Sequence, residues 1–233
     1  MDHTRKNEFS GLTVLDLSRY LPGGYATQVL ADMGAEVIKV EDTGRGDFCR
    51  HDEPVMQGES YYFTALARNK KSLSVNLKSR EGKEIFHKLA AKSDIILESF
   101  RPGVTTRLGI DYEQIKAVKP DIIYCSLSGY GQSNPNSLKA LHDINMQAQS
   151  GYLSLNGGKT SPLHLCDLAS GMVAAQAMLA ALYQRSVSGK GNYIDISMFD
   201  SFVWWNSMLD SRYYFYGGSL DAKDLEYPAV CYN

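Results

Sequence analysis

Residues 13–41 change texture twice, and that change sets the fold class. Residues 13–18 (TVLDLS) form a short run of β character, followed by Pro22, Gly23 and Gly24. Across residues 25–33, Ala26, Val29, Leu30 and Met33 recur at three- and four-residue spacing, which puts them on one helical face. Gly34 ends that helix, and residues 36–41 (EVIKVE) return as a strand. Such a βαβ unit joins its strands by a right-handed crossover, so the two strands are parallel.

The alternation continues down the chain. Residues 72–77 (SLSVNL) read as a strand, and Ser79 is a plausible cap for a helix that runs to about residue 92. Residues 94–98 are a buried-type strand, 111–118 a short helix and 121–126 another strand. The predicted fold is α/β: a doubly wound, Rossmann-like parallel sheet with flanking helices. Residues 42–60 are polar and read as a long loop. From His142 onward helices are predicted over 143–153, 168–184 and 199–214, with one more strand over 192–197. Residues 227–233 resemble the start of a further strand. Trp204, Trp205 and residues 213–216 (YYFY) put aromatic density just before it, which suggests a surface meant to be covered.

Composition removes several function classes. The 24 Lys plus Arg against 26 Asp plus Glu leave a formal charge of −2, and 44% of residues are hydrophobic. This is neither a disordered chain nor one with the basic footprint of a nucleic-acid binder. The longest nearly apolar stretch, residues 172–183, contains Gln176 and is short for a membrane span. The amino-terminal residues lack an apolar signal core. Cys49, Cys125, Cys166 and Cys231 are far apart with no metal-binding spacing, so reduced thiols and a cytoplasmic location are expected.

Three bare GxG pairs (Gly44/Gly46, Gly129/Gly131, Gly189/Gly191) fall short of the dinucleotide fingerprint, which leaves a dehydrogenase poorly supported. Pro22-Gly23-Gly24 is either a plain turn or a place where backbone N–H groups meet an anion. Lys70, Lys71, Lys78, Arg101 and Arg107 lie near predicted strand ends, where open parallel sheets bind ligands. Each is either a phosphate partner or a solvated charge. Asp167 precedes a long apolar stretch and reads as an N-cap. It equally suits a nucleophile that a helix amino terminus keeps ionised. Ala169, Ser170 and Gly171 would then leave room for an acyl group. His142, beside Asp143 at the head of another predicted helix, is a cap or surface residue unless it pairs with Asp167 for proton transfer next to a carbonyl.

The blocks LTVLDLSRYLPGGYATQVLADMGAEVIKVE, ARNKKSLSVNLKSREGKEIF, SDIILESFRPGVTTRLGIDYEQIKAVKPDIIYCSLSGYGQ and CDLASGMVAAQAMLAALYQRSVSGKGNYIDISMFD resemble the family III CoA-transferases, with α-methylacyl-CoA racemase as a sister branch. The resemblance runs from Leu12 to about Met208. It implies a transferase in which Asp167 attacks an acyl-CoA thioester, passes through a mixed anhydride, carries CoA as an aspartyl thioester and yields it to a carboxylic acid. CoA and acyl-CoA are then substrates, and no permanently bound cofactor or metal is expected. The resemblance carries CoA contacts to Leu21, Pro22, Val75 through Lys78, Ser99, Phe100, Arg101, Arg107 and Lys139, with Val75 against the adenine and Arg107 near the nucleotide phosphates.

Asp42 departs from the family, whose formyl-CoA member has an arginine there. Residues 141–145 (LHDIN) resemble the racemase branch except at Leu141, which keeps a racemase using His142 and Asp167 as the alternative. The residues after Asp167 and after Met146 read more like the transferases. Family chains run on into a smaller second domain. Residues 1–233 are therefore expected to be the amino-terminal part of the large domain, inactive alone, and joined in a homo-oligomer or by a partner that supplies the rest. A CoA-binding fragment without catalysis is the third reading.

Overall fold

The computed structural model describes residues 8–219. Six parallel strands form one sheet: β1 (Thr13–Leu17), β2 (Glu36–Glu41), β5 (Lys70–Ser74), β6 (Ile95–Glu98), β7 (Ile123–Ser128) and β8 (Asn192–Ser197), in the order β5-β2-β1-β6-β7-β8. The first strand sits in the middle, and the chain winds outward from it in both directions. The doubly wound sheet expected from the strand–helix alternation is therefore the fold. Its switch point falls between the carboxyl ends of β1 and β6, where such sheets open a crevice for ligands.

Helices cover both faces. On one face α1 (Tyr20–Asp32) and α8 (Leu165–Ser188) bury Ala26, Leu30, Ala174 and Met178 against Val14, Val37, Leu97 and Cys125. On the other, α3 (Arg80–Ala90) and α5 (Tyr112–Val118) bury Phe86 and Ile115 against Leu15, Ile96 and Tyr124. Trimming a fully buried side chain such as Phe86 to alanine costs about 3–5 kcal/mol. At 24 residues, α8 is by length and composition long and apolar enough to cross a membrane, which the sequence stretch 172–183 alone is not. Here it lies along the sheet, between α1 and α9 (Met198–Phe215).

Several boundaries differ from the sequence reading, each for a tertiary reason. Helix α1 begins at Tyr20, so Pro22, Gly23 and Gly24 lie inside it rather than in a turn before it. Proline is tolerated in a first helical turn. Gly23 is required because a Cβ there would sit 2.2 Å from Ser18 Cβ. Strand β5 starts at Lys70, two residues earlier than its apolar alternation suggests.

The loop 42–60 holds a 3₁₀ turn, Phe48–His51, and a short antiparallel pair, β3 (Val55–Met56) with β4 (Glu59–Ser60). Helices α2 (Tyr61–Ala67) and α4 (Val104–Leu108) were not expected. The helix predicted over 143–153 is broken into α6 (Asp143–Gln149) and α7 (Tyr152–Leu155) by Gly151 at φ 82°. Trp204, Tyr214 and Phe215 are exposed on α9, as the aromatic density led us to expect. The strand predicted over 227–233 lies outside the described residues, as does Cys231. Cys49, Cys125 and Cys166 are free and buried.

Candidate active site

A cleft opens at the switch point, with Leu17, Ser18 and Arg19 after β1, Glu41 and Asp42 at the end of β2, Val75 to Lys78 after β5, and Phe100 after β6 in its wall. Val75 is buried, and Leu77, Phe100 and Leu108 add apolar surface. The Arg19 guanidinium lies 4.9 Å from the Phe48 ring centroid and 5.5 Å from that of Phe100, a stacked arrangement that fixes a charge without burying it. Asp42, where the family resemblance led to an arginine, accepts N–H bonds from Gly44 (2.8 Å) and Arg45 (3.0 Å). Those amides hold its carboxyl below the usual range.

Beneath the cleft wall lies a buried ionic network. Lys39 Nζ donates to the Ser18 carbonyl (2.6 Å), pairs with Asp47 Oδ2 (2.7 Å) and sits 3.6 Å from Asp16 Oδ1. Asp16, fully buried, accepts from Ser18 N (2.9 Å), Thr27 Oγ1 (2.6 Å) and Lys70 Nζ (3.1 Å). Burial alone would raise its pKa, but Lys39, Lys70 and the two hydroxyls hold it well below the ordinary carboxylate value.

Asp47 Oδ1 accepts from Cys49 N (3.0 Å) and Tyr20 N (3.4 Å), and Arg19 N donates to Ser99 Oγ (2.9 Å). Residues 18–20 are thus held from several sides. That restraint matches the left-handed φ of 60° at Tyr20, a conformation that costs a non-glycine residue about 1–3 kcal/mol. Lys70, grouped in the sequence reading with residues able to meet a phosphate, is committed to Asp16, Thr27 and the Gly24 carbonyl.

The second feature surrounds Asp167. Helix α8 begins at Leu165, three residues before the predicted start, so Asp167 lies in its first turn and is not its N-cap; His164 is. Asp143, from the first turn of α6, does the capping. Its Oδ1 accepts from Cys166 N (2.7 Å) and Asp167 N (3.2 Å), and its Oδ2 is bonded by the Gln147 amide. Leu165 N and Leu168 N go to the carbonyls of Leu163 and His164. The first-turn amides are therefore all used, and α8 offers no backbone oxyanion hole at this point.

This arrangement corrects the expectation that the helix terminus keeps Asp167 ionised. Asp143 takes the amides, while burial and the Asp143 charge push the Asp167 carboxyl up to about 7. Among the described residues no side chain hydrogen-bonds that carboxyl. A ring nitrogen of His164 and oxygens of Asp143 and Asp167 lie within 4.8 Å of one another. The His164 ring is exposed and meets Tyr62 edge-on, 6.3 Å between centroids. Burial and Asp167 push the Tyr62 phenol well above its usual range.

The two features are neighbours through helix packing. A Cβ on Gly171, one turn beyond Asp167, would lie 2.6 Å from the Pro22 carbonyl and 3.2 Å from the Tyr25 ring, so α8 and α1 touch where both begin. Ala169, Ser170 and Gly171 are all buried; Ala169 packs with Met146, Cys166 and Phe202, and the missing side chain of Gly171 is what lets α8 meet α1.

Of the residues singled out from sequence, Val75, Lys78 and Phe100 line the cleft. Leu21 and Pro22 are buried at the start of α1, and Ser99 anchors Arg19. Arg101, Arg107 and Lys139 are exposed and stand outside the cleft lining. His142 is the exposed N-cap of α6, its N–H donated to Asn145 Oδ1 (3.1 Å), and the imidazole in the Asp167 cluster is that of His164 instead. Arg19, Lys39, Asp47, Tyr62 and His164 went unnoticed. Only Arg19 carried a signal, as the first charge after β1 at a switch point.

The family model for CoA-transferase family III matches residues 9–226. A succinyl-CoA:glutarate CoA-transferase of Homo sapiens is 42% identical over 209 residues, covering 87% of this chain and 48% of that protein. An acetyl-CoA:oxalate CoA-transferase of Acetobacter aceti is 39% identical over 84% of this chain and 52% of that one. The crystal structure of a CAIB/BAIF family protein from Brucella suis superimposes with a TM-score of 0.88 at 32% identity, covering 92% of this chain and 59% of that chain. The chain spans about half the length of the curated relatives it matches.

Proposed function

Because this chain belongs to CoA-transferase family III, we propose that it moves CoA from an acyl-CoA to a carboxylic acid and that Asp167 carries the CoA in between. The observation that supports this most is the Asp167 carboxyl: half-buried, bonded by no described side chain, and pushed up to about 7. A carboxylate of raised pKa is a stronger nucleophile once ionised, and a raised value near neutrality leaves part of it ionised there.

Asp167 attacks the acyl carbon of the thioester, the C–S bond breaks, and CoA thiolate leaves a mixed anhydride. The thiolate then attacks Asp167 Cγ, the C–O bond breaks, and the donor acid departs from an aspartyl-CoA thioester. The acceptor carboxylate runs the same two steps in reverse order and takes the CoA. A carboxylate side chain is needed because only it can exchange acyl partners while holding the sulfur as a thioester. One thioester replaces another, so no further energy source enters.

In this reading the nucleotide end of the substrate occupies the cleft: Val75, Leu77 and Phe100 offer an apolar seat, and Lys78, joined by Arg101 and Arg107 from outside the lining, offers charge to phosphates. Leu21, Pro22, Ser99 and Lys139 complete the proposed contacts. CoA is here a substrate, not a resident group. The relatives' names make succinate, glutarate and oxalate the acids to try first.

The test is to incubate the intact protein with succinyl-CoA and hydroxylamine, then examine the peptide containing Asp167 by mass spectrometry. An Asp167 hydroxamate is expected, absent in Asp167→Asn. An unmodified peptide from protein that transfers CoA would overturn the proposal.

A further inference from the structure

We infer that His164 is the group that receives the carboxylate substrate beside Asp167. This rests on the reading of Asp167 as the CoA carrier and adds a second substrate-binding residue to it. The reasoning begins with charge. Any acid that takes CoA from Asp167, by then a neutral thioester, must bring its own carboxylate against Asp143, which keeps its charge and has an oxygen within 4.8 Å of those of Asp167 and of a His164 ring nitrogen. Like charges at such distances repel strongly where water is thin.

Donors are needed there, and most candidates nearby are spent. The amides at the head of α8 go to Asp143 and to local carbonyls, and the Gln147 amide goes to Asp143. Among the described residues, the imidazole of His164 and the phenol of Tyr62 remain, and the imidazole is the one with a nitrogen within 4.8 Å of both carboxyls. It stands at the N-cap of α8 but makes no capping bond. Its ring is open to solvent on one side and seated against the edge of Tyr62 on the other. An imidazole always carries at least one N–H, so it can bond an incoming carboxylate oxygen in either charge state. His164 holds the cap position by its backbone alone, and its side chain is left over from that role.

The contact should be symmetric in the reaction. The donor acid leaves from where the acceptor acid arrives, so a group that binds one binds the other. CoA itself is held by the cleft and should not notice the change.

The test uses the intact protein with succinyl-CoA and glutarate, comparing His164→Phe, which keeps an aromatic ring against Tyr62, and His164→Gln, which keeps an N–H. For His164→Phe the KM for glutarate and the inhibition constant for succinate should both rise about tenfold, with the KM for succinyl-CoA within about twofold of its starting value; one lost hydrogen bond to a charged group has this size. His164→Gln should fall between the two proteins. Unchanged values for both acids, or a parallel rise in the KM for succinyl-CoA, would overturn the inference. Hydroxylamine trapping of Asp167 in the same samples separates the two levels. A hydroxamate with unmoved acid constants sinks His164 alone, whereas no hydroxamate in the unsubstituted protein sinks the Asp167 reading and this one with it.

Discussion

Asp16 and Glu98 end neighbouring parallel strands, one register step apart, with Asp16 beside Leu97 and Glu98 beside Leu17. Both are essentially buried, at 0% and 2% exposure, yet their surroundings are opposite. Asp16 faces the α1 side with two lysines and two hydroxyls around it, and its carboxyl stays ionised far below the normal range. Glu98 faces the other side with the Phe100 amide (2.7 Å) and the Ser126 hydroxyl but no ion pair among the described residues. Burial and the charge of Asp195 push it up to about 7.

Asp167 belongs with Glu98, though only half-buried: uncompensated, and pushed up to about 7. The chain therefore treats buried carboxyls in two ways. Where a loop and a cleft wall must be fixed, it surrounds the acid with cations. At Glu98 and Asp167 it leaves the acid without them, at the expense of stability, and at Asp167 that is the environment the proposed carrier role calls for.

The largest expected effect breaks the compensated side. Lys39→Met strands Asp16 and Asp47 without one of their cations and should cost about 3–5 kcal/mol, read as a lowered urea midpoint. The Ser18–Tyr20 turn loses its anchor in the same step, so affinity for CoA, measured by calorimetry on the folded fraction, should fall too. A variant as stable as the parent would show that the network is dispensable.

Next comes Asp167→Asn. Turnover should drop on the order of 10³-fold or more, the scale seen when a covalent nucleophile is removed. Stability should move the other way. A carboxyl whose pKa rises from 3.8 to about 7 on folding binds its proton more tightly in the folded state, so stability declines as pH rises between those values and stays lower above them. The amide escapes that penalty. Above pH 7 it should gain up to roughly 4 kcal/mol, with no gain at pH 4. A loss of stability at pH 8 would contradict the picture of an uncompensated acid.

These contrasts also mark what the sequence could express. Strand–helix alternation was legible because periodicity is local: Val29 and Leu30 announce a helix face without knowledge of the sheet. The start of α1 was not, since Gly23 is explained by Ser18 pressing on it and Pro22-Gly23-Gly24 alone looks like a turn. Lys70 reads as a phosphate partner or a solvated charge because its partner Asp16 lies 54 residues away in the chain. Asp167 stood out by its position before a long apolar helix. Its protonation did not, because Asp143, 24 residues earlier, intercepts the helix amides. His164 lies between Leu163 and Leu165, and nothing local marks a lone histidine there as meeting an acid 21 residues earlier.

The smallest expected effect sharpens the comparison at Glu98 itself. Glu98→Gln keeps a carbonyl oxygen for the Phe100 N–H and supplies an amide that the Ser126 hydroxyl can accept, so shape and hydrogen bonds survive while the ionisable group goes. With the pKa raised from 4.5 to about 7, the native carboxyl lowers stability progressively as pH climbs through that interval. The variant should match the parent at pH 4 and exceed it by up to roughly 3 kcal/mol at pH 8, by urea denaturation at both values. The same exchange at Asp16, Asp16→Asn, should do the reverse, because its ionised form is the one the fold stabilises. If Glu98→Gln instead destabilises at pH 8, a cation compensates Glu98, and the contrast between the two strand ends fails. If it gains stability at both pH values alike, the benefit comes from packing and not from charge.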